Sequence, residues 1–135
     1  MTDSQDVERL LAAIDHDPDQ LHLDRTPAVS ALAELGWRAA PGLLDLMATA
    51  EAPTRLRAAT ALELIVDREH GFVAGQGFPS PEAEDAVRVL WAANGGYRHD
   101  ADESARAESV RRWREWLTRR SEAGAEAAGA EEGER

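Results

Sequence analysis

The stretch A39-A-P-G-L-L-D-L-M-A-T-A-E-A-P-T-R-L-R-A-A-T-A-L-E-L-I65 decides how this chain folds. Pro41 and Pro53 each stand where a first helical residue is expected, because a fixed φ and a missing N–H are harmless there. Behind each proline the apolar residues recur at helical spacing. No alternating β-branched run interrupts them, so the stretch reads as two helices joined by a short turn. On the second, at 100° per residue, Ala58, Ala59, Ala61, Leu62, Ile65 and Val66 cover an arc of about 160°. That arc is wide enough for neighbours on two sides, and the alanines allow close helix approach.

The same punctuation recurs outward along the chain. Residues 4–15 carry VERLLAAI at helical spacing. Thr26 and Pro27 open a helix over 27–36 that Gly36 stops, and 39–51 and 54–69 are the pair above. Ser80 and Pro81 open 81–94, with Glu82 and Glu84 in the positive first turn. A last helix spans 103–120. Beyond it, residues 121–135 contain no large apolar residue and read as a disordered acidic tail, leaving 1–120 as one helical domain. Pairing the helices 4–15 with 27–36, 39–51 with 54–69 and 81–94 with 103–120 gives three hairpins. AVSALAEL (28–35) superposes on AATALELI (58–65) at a spacing of 30 residues, the length of one hairpin. A hairpin cannot bury its apolar face alone, so repeated hairpins stack.

Pro41-x-Leu43-x-x-Leu46 followed by Arg57-x-x-x-Ala61-Leu62-x-x-Ile65 resembles a HEAT repeat of the short, phycobilin-lyase-like class. The turn aspartate usual in that family is absent, the turn here reading AEAP. The resemblance implies an all-α fold, a short right-handed α-solenoid of about three HEAT-like hairpins, with an irregular six-helix bundle as the alternative. It further implies a non-catalytic protein–protein interaction module or regulatory adaptor, lined by the second helix of each pair. The rival reading is a small HEAT-like enzyme of the DNA glycosylase or chromophore lyase type. A third is self-association through uncapped solenoid ends.

Composition narrows the chemistry. The chain has 135 residues, a net charge of −11 and no cysteine. Every basic residue except the four histidines is arginine. Thiolate chemistry, disulfides, Schiff bases and a P-loop lysine are thereby excluded. The acidic balance argues against nucleic acid and against anionic membranes as partners. A start without a basic-then-apolar leader and the absence of a long apolar run point to a cytoplasmic protein. Arginine in place of lysine, with abundant alanine, points to a GC-rich bacterial genome.

No metal or cofactor site is expected. Asp15, Asp17 and Asp19 alternate as in a calcium loop, but Gln20 and Thr26 occupy the positions that need glycine and glutamate. His70 and His99 flank a helix that holds them about 20 Å apart, too far for one ion. Neither G-x-S-x-G nor H-E-x-x-H occurs. Three places remain as partner-binding candidates: Phe72 and Phe78 in the glycine-rich connector HGFVAGQGFPSP (70–81), Tyr97 and Arg98 in NGGYRHDAD (94–102), and Trp116 and Arg120 at the rim of the closing helix. On that helix ESVRRWREWLTRR (108–120), Ala107, Val110, Trp113 and Leu117 form the expected core stripe. Glu108–Arg112, Arg111–Glu115 and Glu115–Arg119 form expected ion pairs on the outer face. The tail glutamates, Glu122, Glu126, Glu131, Glu132 and Glu134, are expected to compete for its remaining arginines.

Overall fold

The computed structural model describes the backbone of residues 2–133 and the side chains of residues 5–125. Six α-helices follow one another: α1 (Thr2–Ala12), α2 (Pro27–Leu35), α3 (Ala40–Thr49), α4 (Ala52–Glu69), α5 (Pro81–Ala93) and α6 (Glu103–Gly133), with a 3₁₀ turn at Gly36–Ala39. The fold is all-α. Among the described residues the β-structure is one isolated bridge, between Val73 and Gly77.

The helix starts follow the expected chemistry. Thr26 has extended backbone, and its hydroxyl accepts from the Val29 N–H at 3.1 Å while donating to the Ile14 carbonyl at 2.7 Å. One buried hydroxyl thus caps α2 and ties it to the end of the preceding segment. Ser80 caps α5, accepting from the Ala83 N–H at 3.1 Å. Gly36 stops α2 with φ 72°, a conformation that only glycine adopts without strain. The chain then continues through the 3₁₀ turn straight into α3.

α1 packs on α2 and α3 on α4; α1 also lies beside α3 and α2 beside α4. Their shared core contains Ile14, Val29, Leu32, Leu43, Leu44, Met47, Ala58, Ala61, Leu62, Ile65 and Val66, all buried. The arc expected on α4 is therefore found, apart from Ala59, which is only half-buried.

The C-terminal pair departs from this order. α5 lies beside α4, and α6 lies against α3. The connector between them causes the crossing. The Tyr97 hydroxyl donates to the Met47 carbonyl at 2.8 Å. Arg55 donates to the carbonyls of Ala50 (2.7 Å) and His99 (3.0 Å). Together these close the C-terminus of α3, whose last carbonyls have no partner within the helix. They also hold the 94–102 loop over it, so α6 starts there and runs back along α3. Arg114 meets Asp45 at 2.6 Å and Trp116 meets Trp37 at 5.0 Å between ring centroids.

α6 is rotated from its expected setting. Ala107 is exposed and Ser109 is fully buried. The Ser109 hydroxyl donates to the Asn94 carbonyl at 2.6 Å, and a Cβ at Gly95 would stand 3.0 Å from its Cα. That close crossing needs a small residue at 109; Val110 and Trp113 are buried as expected, and Trp116 packs inward beside them. All four tryptophans then touch in one chain, Trp91–Trp113 at 5.5 Å, Trp113–Trp116 at 5.5 Å and Trp116–Trp37 at 5.0 Å. The helix also runs on to Gly133, through most of the stretch expected as a tail. Alanine and glutamate are strong helix formers, which accounts for the continuation. Residues 134 and 135, and the side chains of Glu126, Glu131, Glu132 and Glu134, lie outside the described residues.

Candidate functional site

The six residues singled out from sequence fall in three separate places. Phe72 and Phe78 pack edge-on at 5.1 Å. Their connector is closed by the Val73–Gly77 bridge and by the Phe72 N–H donating to the Asp67 carbonyl at 3.0 Å. Gly75 and Gly77 both have positive φ, at 84° and 85°, which permits so tight a turn. Phe78 reaches the core cluster, while Val73 at the tip is exposed.

Trp116 and Arg120 do come together, at a clasp. The Trp37 indole N–H donates to Glu69 at 2.6 Å, Arg120 pairs with the other oxygen of Glu69 at 3.0 Å, and its guanidinium lies 5.0 Å from the centre of the Trp37 ring. These contacts fasten α6 to the end of α4. The outer face of α6 is likewise occupied. Arg111 bonds both Glu108 and Glu115, and Arg112 reaches Glu108 at 3.4 Å. Hydrogen bonds from Arg111, with the charges of Arg111 and Arg112, hold the Glu108 carboxyl down at about 2. Of the expected pairs, Glu115–Arg119 is not formed, since Arg111 holds Glu115. Arg106 donates to the Ala101 carbonyl, and Arg114 pairs with Asp45 across to α3.

Tyr97 and Arg98 lead to the more informative place. Tyr97 is 5% exposed and its hydroxyl is committed to Met47, so it acts first as an anchor. Burial raises its pKa. Arg98 is exposed and paired with Asp100 at 3.2 Å. What these residues build is one wall of a hollow of about 290 Å³ over α4. Its floor is Leu56, Ala59, Thr60 and Glu63, which lie on one side of α4 at helical spacing. Trp91 of α5 and residues 97–100 stand on one flank.

The loop between α1 and α2 is lashed to the same helix, outside the lining of the hollow. Arg57, with a side chain only 11% exposed, donates to the Leu23 carbonyl at 2.9 Å and to Asp15 at 2.8 Å. The Thr54 hydroxyl donates to the second Asp15 oxygen at 2.6 Å, and Thr60 donates to Asp24 at 3.2 Å. Asp15 is therefore the carboxylate that pairs with Arg57. Burial opposes its charge, but Thr54 and Arg57 together hold its carboxyl below the usual value. This lashing brings Asp24 and Arg25 to the edge of the α4 strip.

Glu63 is the residue that sequence reasoning missed. Its helical angle, about 40° beyond the Ala59 edge of the apolar arc, was the available signal. Part of its side chain faces solvent, but the surrounding chain crowds the carboxyl. Burial, and then repulsion from Asp67 and Asp24, raise its pKa above the ordinary value, with Arg25 opposing. Asp67, one turn further on, is raised too by burial, against the attraction of His70 and Arg25. Glu63 makes no hydrogen bond or ion pair among the described residues. No group of three or more acidic or histidine side chains among them is arranged to hold a metal ion. No helix among them is long and apolar enough to cross a membrane. No protein-family model, curated protein or solved structure matches the chain.

Proposed function

We propose that this chain is a non-catalytic protein-binding module of HEAT-like solenoid character, an adaptor whose binding face is the open strip of α4. The neighbour relations of the first four helices support the solenoid reading, because first helices lie on first and second helices on second. The last two helices then act as a lid that crosses over instead of extending the stack. The observation that carries the binding reading is the α4 strip itself. Leu56, Ala59 and Glu63 are left open beside the 94–102 loop, which Arg55 and Tyr97 pin to the framework, while Arg57 pins the α1–α2 loop to the same helix. A pinned wall beside an open floor forms a recognition surface with little left to order on binding. The 70–80 connector continues from the end of the same helix and extends that face.

The test is co-purification from the native host followed by mass spectrometry, with two variants beside the wild type. Ala59→Arg fills the hollow with its own guanidinium, one turn from Glu63. Arg88→Ala alters the exposed side of α5. A partner lost with Ala59→Arg and kept with Arg88→Ala supports the reading, provided far-UV circular dichroism shows both variants folded. A partner retained equally by both removes α4 as the face.

A further inference from the structure

We infer that the α4 hollow receives a cationic side chain, an arginine or lysine of the partner protein. This rests on the reading of α4 as the binding face and specifies what occupies it. The size comes first. About 290 Å³ is at the low end of the roughly 300–1,000 Å³ typical of small-molecule pockets, and it suits one long side chain.

Charge then decides the class. An anionic occupant meets Glu63, with Asp67 and Asp24 close enough to repel it, on a protein of net charge −11. A wholly apolar occupant covers the Glu63 carboxylate without giving it a partner, and a desolvated, unpaired charge is among the most costly arrangements in proteins. A cation removes both penalties.

The protein does not supply that cation itself. Arg55 is committed to the Ala50 and His99 carbonyls, Arg57 to Asp15 and the Leu23 carbonyl, and Arg98 to Asp100. Arg25 lowers the Glu63 pKa but is outweighed by Asp67 and Asp24, and it makes no bond to Glu63. The remaining wall suits a cation with an aliphatic stem. Trp91 is half-buried with its indole N–H used on the Tyr97 carbonyl at 3.2 Å, leaving ring surface beside Leu56 and Ala59.

The experiment is selection of a random twelve-residue peptide display library on the intact protein, with counter-selection on the folded Ala59→Arg variant. Peptides that need an open hollow and are enriched in arginine or lysine are expected. Replacing their basic residue with norleucine, or Glu63 with Gln, is expected to weaken them roughly ten-fold, with the effect shrinking at high salt. Hollow-dependent peptides without basic enrichment, or with affinity indifferent to Glu63→Gln, overturn the cationic occupant while leaving α4 as a binding face. Peptides that bind Ala59→Arg equally well, or no peptides at all, overturn the binding face and the occupant together. Glu63 lies at the surface and glutamine matches its shape, so Glu63→Gln folds; a second variant, Leu56→Gln, is expected to weaken the same peptides without changing their salt dependence, and unchanged affinity overturns the occupied hollow.

Discussion

At the scale of single residues, two charged groups on α4 have opposite effects on stability. Arg57 is nearly buried and holds the α1–α2 loop through Asp15 and the Leu23 carbonyl. Arg57→Ala removes the charge-assisted bonds to Asp15, which keeps its bond from Thr54, and to the Leu23 carbonyl, which is expected to cost about 1–2 kcal/mol. The check is a chemical denaturation series, together with faster amide exchange in residues 15–25. Glu63 has a carboxyl pKa raised by burial and by Asp67 and Asp24. A carboxyl whose folded pKa lies above its unfolded value loses stability as pH rises through the folded value, and loses nothing below the unfolded one. Glu63→Gln is therefore expected to raise the melting temperature at pH 7 and to leave it unchanged near pH 4. Thermal melts of both proteins across that range decide it; a gain independent of pH would show that the carboxylate is not crowded. A residue that destabilises the free protein and sits in an open hollow is the kind a ligand relieves.

At the scale of elements, the helix starts were legible because their chemistry is local. Thr26–Pro27 and Ser80–Pro81 announce α2 and α5 in two residues each, and the hydroxyl caps are made as the types require. The apolar arc of α4 was legible for the same reason: periodicity belongs to one helix. The hollow was not, because its wall lies 30 to 40 positions from its floor and is drawn in by Arg55 and Tyr97. No spacing rule links Asp15 to Arg57 or Tyr97 to Met47. The rotation of α6 was hidden in the same way, since the reason for burying Ser109 is Gly95 on another element. The 70–80 connector sits between these cases, its glycines legible and its closure by Val73 and Gly77 not. Phe72 and Phe78 are each only half-buried, so replacing both with Ala is expected to cost about 1–2 kcal/mol apiece, below the cost of a fully buried Phe→Ala. A domain holding about 5–15 kcal/mol survives that. Unchanged far-UV circular dichroism with weaker partner capture is the expected pair of results. Unchanged capture removes the connector from the binding face.

At the scale of the whole molecule, the question is whether α6 is part of the cooperative unit or a strap laid over it. Trp113 is fully buried, and through Trp37, Trp91 and Trp116 it links the 3₁₀ turn, α5 and α6. Arg114–Asp45 and Arg120–Glu69 are exposed and add little by themselves, about 0–1 kcal/mol each. The aromatic contacts therefore set the docking strength of α6, and through Trp37 they reach the turn that joins α2 to α3. Intrinsic tryptophan fluorescence reports only that cluster, whereas ellipticity at 222 nm reports all six helices. If α6 folds as one unit with α1–α4, the two probes give coincident transitions in denaturant, the behaviour of a small single domain. Trp113→Ala is expected to lower the midpoint by the equivalent of about 3–5 kcal/mol, close to the limit of what such a domain tolerates. A fluorescence transition that precedes the loss of ellipticity would mean that α6 releases first, exposing α3 while the stacked hairpins persist.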